Sequence, residues 1–296
     1  MQKKVNILIS GGSGFLGSNL VNFLYKNKKY NLYLLKRSGS NFSRINKYIL
    51  RRLYFIQYPN RNLAKIFKAK KIDCVIHCAT NYGSKKNSIS EIIQPNLILP
   101  MQLLDLCYLN NVRCFLNTDT VLDKRVSNYS LSKSQFSEWL RHYSKNFTCS
   151  NIKIEHFFGP GDNETKFVIS TIKSFLNNKK DLNFTLGTQK RDFIFIDDVV
   201  SAMDKILTYS LKKRVGYDLF EVGSGKNVSI KNIVKMIKII CKNTKSKLNF
   251  GKIPMRKNEL FKVNLNLKKL KALKWKPKYT LENSLKKTIN YYKKNK

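Results

Sequence analysis

A glycine-rich turn directly after a short apolar run constrains the fold of this chain most. Residues 4–10 (KVNILIS) are β-branched and apolar over a length too short for a helix, which predicts a buried strand. The turn 11–17 (GGSGFLG) follows at once, and a helical spacing of apolar residues begins within it. Glycines in a strand–turn–helix unit allow a tight turn and let the backbone approach a pyrophosphate at the helix N-terminus. The pattern therefore predicts a dinucleotide-binding fold rather than a glycine turn without a ligand.

Strand and helix patterns alternate along the rest of the chain. The further strands are predicted at 30–35, 54–58, 71–79, 112–116, 152–157 and 219–222, and the clearest helices at 96–109 and 129–143. This alternation predicts an α/β fold with a doubly wound parallel sheet of the Rossmann type. We expect the dinucleotide-binding domain to span 1–161 plus about 192–222. The remaining residues, about 162–191 plus 223–296, are expected to form a smaller α/β substrate-binding lobe.

The chain is strongly basic, with 57 Lys+Arg against 18 Asp+Glu and a formal net charge of +39. A nucleic-acid-binding surface would concentrate charge on one face, and direct readers of bases favour Arg. Here the basic residues are 46 Lys and 11 Arg, and the lysines are spread from Lys3 to Lys296. We therefore expect a solvated basic surface and no nucleic-acid partner, with a field that could attract anionic substrates as a second possibility.

The composition also bears on where the protein is located in the cell and on whether it binds a metal. No stretch approaches the roughly 18 uninterrupted apolar residues that a membrane span needs. The charged N-terminus leads straight into the glycine turn without a signal-peptide pattern, so we expect a cytoplasmic protein. The six cysteines include no CxxC pair, which predicts free core thiols and no metal site.

The end of the second predicted strand bears on the choice of cofactor. In NAD enzymes an acidic residue there binds the ribose 2′-hydroxyl. This chain instead has Lys36, Arg37 and Ser38, and no Asp or Glu precedes Asp73. Because Arg forks onto phosphate, the cationic end predicts NADP(H), with Arg37 as the main contact and NAD less favoured. A general excess of lysine is the alternative explanation.

A tyrosine and a lysine four residues apart, Tyr129 and Lys133, lie on one face of a predicted helix. An ammonium beside a phenol stabilises the phenolate and lowers a pKa that is normally near 10. The tyrosine could then exchange a proton near neutral pH. The polar run 117–120 (NTDT) follows the fifth predicted strand, and ligand sites in such sheets lie at the carboxyl ends of strands. A hydroxyl there could hydrogen-bond a reacting oxygen of the substrate.

Together these residues resemble the extended short-chain dehydrogenase/reductases, the NAD(P)-dependent nucleotide-sugar epimerase/dehydratase family. The matching segments run in the family's order across nearly the whole chain: SGGSGFLGSNL, DCVIHCAT, NTDT, YSLSK, FFGPGD, KRDFIFIDDVV, FEVGSGKNVSI and LKWKP. Within the family, VIHCATNYG, FLNTDT, IEHFFGPGDNETKF and QKRDFIFIDDVV look most like the CDP-abequose and CDP-paratose synthases and related 4-ketoreductases. Those enzymes reduce a nucleotide-linked 4-keto-6-deoxyhexose.

The resemblance implies a role for each matching position. Tyr129 would protonate the C4 oxygen, Lys133 would tune Tyr129 and hold the nicotinamide ribose, and Thr118 takes the place of the catalytic Ser/Thr. Substrate contacts are predicted at Tyr82, Asp119, Glu155, His156, Arg191 and Arg256, the two arginines on the diphosphate. Cofactor contacts are predicted at Gly11, Ser13, Gly14, Phe15, Leu16, Gly17, Lys36, Arg37, Ser38, Cys78, Ala79, Thr80, Asn96, Tyr129 and Lys133. Each arginine could instead be a surface charge, and Asp119 could instead cap a loop.

Two departures from the family pattern narrow the activity. Similar dehydratases carry Asp-Glu where this chain has Asp119-Thr120, so the acid that would help expel water is missing. Only ten residues separate Thr118 from Tyr129, which leaves few places for the second acid/base pair that a 3,5-epimerisation needs. These departures favour simple ketoreduction.

The sequence therefore predicts NADPH-dependent reduction of a nucleotide-linked 4-keto-6-deoxy sugar. Such a reaction would serve deoxysugar biosynthesis for a surface polysaccharide such as lipopolysaccharide or capsule. The alternatives are a 4-epimerase that retains NAD and a non-catalytic protein that senses a dinucleotide or binds nucleic acid. The family also leads us to expect a homodimer formed through the helices at 96–109 and 129–143.

Overall fold

The computed structural model describes residues 3–84, 87–255 and 259–295. The strands are β1 (Val5–Ser10), β2 (Tyr30–Lys36), β3 (Tyr54–Gln57), β4 (Cys74–His77), β5 (Cys114–Thr120), β6 (Thr148–Ile154), β7 (His156–Phe158), β8 (Asp181–Phe184), β9 (Lys190–Phe195), β10 (Gly216–Val222), β11 (Asn227–Ser229) and β12 (Lys247–Phe250). The helices are α1 (Phe15–Tyr25), α2 (Lys47–Leu50), α3 (Leu63–Lys70), α4 (Ile89–Ile93), α5 (Leu99–Leu109), α6 (Asn128–Tyr143), α7 (Phe167–Leu176), α8 (Ile196–Ser210), α9 (Ile230–Cys241), α10 (Lys268–Ala272) and α11 (Leu281–Lys294). A π-helical turn, Gln94–Ile98, joins α4 to α5.

The main sheet has seven strands in the order β10-β6-β5-β4-β1-β2-β3. The pairs β1–β2, β1–β4, β2–β3, β4–β5 and β5–β6 are all parallel. In a sheet of this order the chain changes winding direction between β1 and β4, which opens a crevice at the carboxyl ends of the strands. The predicted fold class, an α/β fold of the Rossmann type, is confirmed.

One hydrophobic core lies against this sheet. It includes Leu8 of β1, Val75 of β4 and Phe115 of β5, with Leu103 of α5 and Phe136 of α6 packed on them. The apolar strands predict this arrangement, because strands covered by helices on both faces bury nearly all their side chains. Helix α6 packs on this core through Phe136 and Leu140, and Lys133 in its N-terminal half reaches the carbonyl oxygen of Thr118 near the carboxyl end of β5.

Strand β4 is shorter than predicted, Cys74–His77 against 71–79, and β10 begins earlier than predicted, at Gly216 rather than 219. Two other differences have a visible physical basis. Strand β5 continues from the predicted end at Leu116 to Thr120, because its last four polar residues are buried and hydrogen-bonded. The predicted strand at 152–157 is two strands, β6 and β7, which are interrupted at Glu155. At Glu155 the chain passes from one sheet to the other: the Glu155 N–H still bonds the Val222 carbonyl of β10, whereas the His156 N–H donates to the Glu155 carboxylate and His156 pairs with β9.

The chain divides into two compact units. Unit 1 contains residues 1–154, 200–221 and 272–274, and includes the main sheet apart from its last residue, Val222. Unit 2 contains residues 155–199, 222–271 and 275–296. Residues 155–161 and 192–199, which the prediction gave to the dinucleotide-binding domain, belong to unit 2, and 272–274 belong to unit 1. The reason for the first difference is that β7 and β9 pair with each other rather than with the main sheet.

Unit 2 has two small sheets of its own. One has the order β11-β9-β7, with β11 antiparallel to β9 and β7 parallel to it. The other pairs β12 with β8 in parallel.

One helical run among the described residues, Ile89–Leu109, is long and apolar enough to cross a membrane by length and composition. The prediction expected no span. Its residues Leu99, Leu103, Leu104 and Cys107 belong to the core beneath the main sheet. A single run of this kind is weak evidence for a span, because the buried core helix of a globular protein can have the same length and apolar composition.

Candidate active site

The glycine turn between β1 and α1 is packed too closely for side chains. At Gly11, which has φ +73°, a Cβ would lie 2.4 Å from the backbone nitrogen of Ala79. A Cβ at Gly17 would lie 2.2 Å from the carbonyl oxygen of Gly11. Helix α1 begins at Phe15 and Gly14 makes no side-chain cap bond there, and the positive end of a helix dipole favours an anion. The turn thus fits a pyrophosphate, as the predicted contacts from Gly11 to Gly17 require.

The end of β2 forms one wall of a cationic pocket of about 370 Å³. The Arg37 N–H donates to Ser40 Oγ at 2.9 Å, and Gly39, at φ +78°, completes the turn. The Lys36 ammonium lies 5.6 Å from the centre of the Phe55 ring. The residues lining the pocket include no acid: Lys36, Arg37, Ser38, Gly39, Ser40, Phe42, Leu50, Phe55 and Gln57. Such a lining could bind an anionic group.

Lys133 lies in α6, with its side chain buried at 1% exposure. Its Nζ donates to the carbonyl oxygen of Thr118 at 2.8 Å, which brings the amine to the carboxyl end of β5. Burial lowers the pKa of Lys133 to about 8, and Asp119 is the main group that raises it again. The amine therefore titrates close to physiological pH.

Tyr129 lies in the first turn of α6, which a capping box of Ser127 and Ser130 begins. Its ring centre is 5.1 Å from that of Tyr82. The pKa of Tyr129 is raised above its ordinary value, first by burial and then by Tyr82 and Asp119, while the Thr120 hydroxyl lowers it. The predicted direction was wrong for this structure, because burial and the acid outweigh any effect of the ammonium. A raised pKa keeps the phenol protonated at neutral pH, which is the form that donates a proton.

The predicted catalytic hydroxyl of Thr118 and its neighbours have distinct partners. Thr118 Oγ1 donates to the carbonyl oxygen of His77 at 2.9 Å. Thr120 is two residues on and hence on the same face of the strand, and its hydroxyl lowers the pKa of Tyr129. Thr120 Oγ1 also accepts the N–H of Leu122 at 3.2 Å. Of the two threonines, Thr120 is the one whose hydroxyl acts on the tyrosine.

Asp119 is buried, and its carboxylate bonds within unit 1. Oδ2 accepts from Asn151 Nδ2 at 2.7 Å, and Oδ1 accepts from the Thr120 N–H at 2.7 Å. Asn151 also accepts from Asn117 Nδ2 at 2.7 Å. The predicted substrate contact of Asp119 stays a prediction.

The segment after β4 is held by Asn96. Asn96 is fully buried, and its Oδ1 accepts from Thr80 Oγ1 and from the N–H of Asn81, each at 3.0 Å. Its Nδ2 donates to the Asn81 carbonyl at 2.9 Å and to Ser132 Oγ at 3.2 Å. Its side chain is therefore saturated by the protein and supports the loop that carries Tyr82. Its predicted cofactor contact stays a prediction.

Cys78 and His77 are neutral groups beside the same sheet edge. The N–H of Cys78 donates to the Ser10 carbonyl at 3.0 Å, and burial raises the pKa of its thiol to about 12. His77 is fully buried with Nδ1 2.7 Å from Ser10 Oγ, and burial lowers its pKa well below the usual value. Neither group is ionised at neutral pH, so neither serves as a nucleophile or a charged acid there.

Three of the predicted substrate residues lie in unit 2. The buried carboxylate of Glu155 is 2.5 Å from Nδ1 of His156, which fixes the imidazole with Nε2 directed away from the acid. The guanidinium of Arg191 donates to Glu259 and to the carbonyl oxygens of Lys190 and Leu260. Arg191 is therefore an internally paired side chain, and its predicted diphosphate contact stays a prediction. The predicted contact at position 256 lies outside the described residues.

Sequence reasoning missed several residues that hold the site. Thr120 could have been found, because it alternates with Thr118 along the strand and so shares its face. Asn151 in β6 and Ser132 in α6 gave no signal, since each is one of several polar residues in its element and nothing in the sequence distinguishes it. Among the described residues, no group of three or more His, Cys, Asp or Glu could hold a metal ion.

Comparison with known proteins places the chain in a family. The sequence pattern of the NAD dependent epimerase/dehydratase family matches residues 7–223. The CDP-abequose synthase of Salmonella muenchen is 33% identical over 295 residues, which cover 96% of this chain and 97% of that protein. The CDP-abequose synthase of Salmonella typhimurium is 33% identical over 294 residues, which cover 93% and 94%. The chain therefore belongs to the NAD dependent epimerase/dehydratase family of enzymes, and the predicted family is confirmed.

Solved structures share the whole fold. The UDP-glucose 4-epimerase of Thermotoga maritima, solved with UDP-glucose, has a TM-score of 0.84 at 22% identity and covers 98% of this chain and 99% of its own. The UDP-glucuronic acid 4-epimerase of Bacillus cereus, solved with UDP-glucuronic acid and NAD, has a TM-score of 0.84 at 24% identity and covers 99% and 100%. At this level of identity the likeness establishes the fold alone.

Proposed function

We propose that the protein reduces the 4-keto group of a nucleotide-linked 4-keto-6-deoxy sugar with NADPH. The observation that carries this proposal is the pair of Tyr129 and Lys133 at the carboxyl end of β5, with the phenol kept protonated. Reduction consumes one proton at the carbonyl oxygen, so the resting form of Tyr129 is the form that the reaction uses. The full-length similarity to two CDP-abequose synthases supports a substrate of this class.

Each residue of the site would have a separate role in such a reaction. Bound NADPH would supply a hydride to the carbonyl carbon. Tyr129 would donate its phenolic proton to the carbonyl oxygen, so that a ketone becomes an alcohol and a phenolate remains. The Thr120 hydroxyl and the Lys133 ammonium would stabilise that phenolate, and the buried amine would return a proton. Unit 2, with Glu155, His156 and Arg191, would bind the nucleotide sugar.

The cofactor preference rests on the pocket at the end of β2. Arg37 and Lys36 offer positive charge to a 2′-phosphate, and no acid among the lining residues would bind a free 2′-hydroxyl. This supports NADPH over NADH. The rival 4-epimerase would instead retain NAD through purification and would convert its substrate without added reductant. The cofactor content of the isolated protein separates these two activities.

The direct test is a panel of CDP-, dTDP- and GDP-linked 4-keto-6-deoxyhexoses incubated with NADPH. Oxidation of the cofactor would be followed by absorbance, and the configuration at C4 would be read by NMR. We expect turnover with at least one member of the panel. Failure of every member, or turnover that needs no reductant, would refute the reductase assignment.

The variant Tyr129→Phe tests the proton donor itself. We expect turnover to fall by roughly 10²- to 10⁴-fold, the usual contribution of a general acid, while NADPH binding measured by fluorescence is retained. The matched control is Tyr143→Phe in the same helix, which loses only a hydroxyl bonded to Asp105 at 2.7 Å. Unchanged turnover in Tyr129→Phe would remove Tyr129 from the mechanism.

A further inference from the structure

The buried ammonium of Lys133 has an incomplete set of partners for a charged group. It is 1% exposed, and its Nζ bonds the carbonyl oxygen of Thr118 at 2.8 Å. A carbonyl oxygen carries only a partial charge, and a buried ammonium without a full counter-charge tends to lose its proton. A negative group near Lys133 would therefore decide whether the amine is charged at neutral pH.

Asp119, the next residue along β5, is a carboxylate held in one orientation. It is 7% exposed, and each oxygen accepts one amide N–H, from the Asn151 side chain and the Thr120 backbone, both at 2.7 Å. Hydrogen bonds of this kind favour the ionised form of the acid and oppose the effect of burial, which raises its pKa. Both oxygens are engaged inside the protein, which argues against a primary role in binding sugar.

Other titratable groups also act on the Tyr129–Lys133 pair. From β4 and the residue after it, His77 and Cys78 face Lys133, and both are neutral at ordinary pH because burial shifts their pKa values away from the charged forms. Tyr82 faces Tyr129 from the loop after β4. Lys153 of β6 acts on Asp119. Of the groups that act on Lys133, Asp119 is the one whose ionised form its own hydrogen bonds support.

We propose that Asp119 is the fixed counter-charge of Lys133, a positioning residue that keeps the Lys133 ammonium protonated behind the Tyr129 phenol. Tyr129 and Lys133 then hold the proton that reduction of the carbonyl group consumes. This inference rests on the proposed function of Tyr129 and Lys133, and it assigns Asp119 to proton retention rather than to the substrate. In agreement, the carboxylate raises the pKa of Lys133 and that of Tyr129.

The test is the pH dependence of kcat for reduction at saturating NADPH in the wild type and in Asp119→Asn. In the wild type, the rate should fall as pH rises through the pKa of Lys133, about 8. Removing the negative charge lets the ammonium lose its proton more easily, so the alkaline midpoint should move down by roughly one unit or more. At pH 8 a shift of one unit would make the variant roughly five- to sixfold slower, and the two proteins would converge near pH 6.

Two further variants keep the test decisive. Asp119→Glu restores the charge and should return the midpoint toward the wild-type pH even if its maximal rate is lower. Asp119→Ser also removes the charge and replaces Asp119→Asn if that variant does not fold. Asp119 is assigned no substrate contact. The KM for the sugar should therefore change less than about twofold in the neutral variants, because removing Asp119 would not weaken binding of the substrate.

The outcomes separate this inference from the proposed function. An unmoved alkaline midpoint in a folded, charge-free variant would overturn the counter-charge role, and a raised sugar KM with an unmoved midpoint would do the same in favour of substrate binding. Tyr129→Phe is measured in the same assay. If it keeps full turnover, the proposed function fails; if it loses turnover while the Asp119 midpoint stays unmoved, only the counter-charge role fails.

Discussion

Single residues in this protein show how far local chemistry can be predicted. The spacing of Tyr129 and Lys133 predicts a shared face, and the structure brings the Lys133 amine to the carboxyl end of β5. The direction of the Tyr129 pKa could not be predicted, because it depends on burial and on an acid whose position only the packing of α6 on β5 reveals. Pattern thus identifies reactive residue types, while their protonation depends on three-dimensional surroundings.

Arg37 is the residue through which the cofactor prediction is best tested. Arg37→Ala should lower kcat/KM for NADPH by roughly 10- to 100-fold, because a hydrogen bond between charged groups contributes about 1.5–3 kcal/mol. The value for NADH should change little, since NADH has no 2′-phosphate. Arg61→Ala, which alters an exposed arginine outside the pocket, is the control. A parallel loss for both cofactors would argue against a contact to the 2′-phosphate.

In several cases the bounds of a strand or helix match the prediction where its buried side chains are apolar, and differ from the prediction where its buried side chains are polar. Strands β1, β2 and β3 begin and end within about a residue of their predicted bounds, because apolar runs define them. The prediction ended β5 too early because the polar residues Thr118, Asp119 and Thr120 are typical of a loop. In the structure each of them forms a hydrogen bond that keeps it in the strand. The helix predicted to start at Asn96 is preceded by α4, which a capping box of Ser88 and Glu91 begins.

The π-helical turn between α4 and α5 places Asn96 against the loop after β4, and its loss should be costly. Asn96→Ala leaves several partly buried polar groups of that loop without their protein partner, each costing up to about 1–3 kcal/mol. We expect the free energy of unfolding, measured with urea, to fall by about 2–4 kcal/mol. Gln102→Ala in α5 removes one exposed bond from Tyr58 and should cost no more than about 1.5 kcal/mol. Equal stability of the two variants would show that Asn96 does not hold this loop.

At the scale of the whole molecule, composition and fold constrain different properties. The family and the Rossmann architecture follow from motifs that span the chain, and both are confirmed. Strands β7 and β9 pair with each other rather than with the main sheet, a pairing between distant segments that local patterns do not encode. The charge of +39 describes a solvated surface and does not identify a partner.

The predicted homodimer concerns the outer faces of α5 and α6. Several large apolar side chains there are exposed: Tyr108 at 50%, Leu109 at 71%, Leu131 at 43% and Trp139 at 47%. Burial of such a surface against a second copy would contribute roughly 25 cal/mol per Å² of apolar area.

We therefore expect a dimer in light scattering coupled to size-exclusion chromatography. The double variant Leu109→Glu, Trp139→Glu should be a monomer, because two carboxylates per subunit would need to be desolvated. Ile239→Glu, at a 75% exposed position in α9, should remain dimeric. A wild-type protein that is monomeric, or a double variant that stays dimeric, would show that these helices do not form the interface.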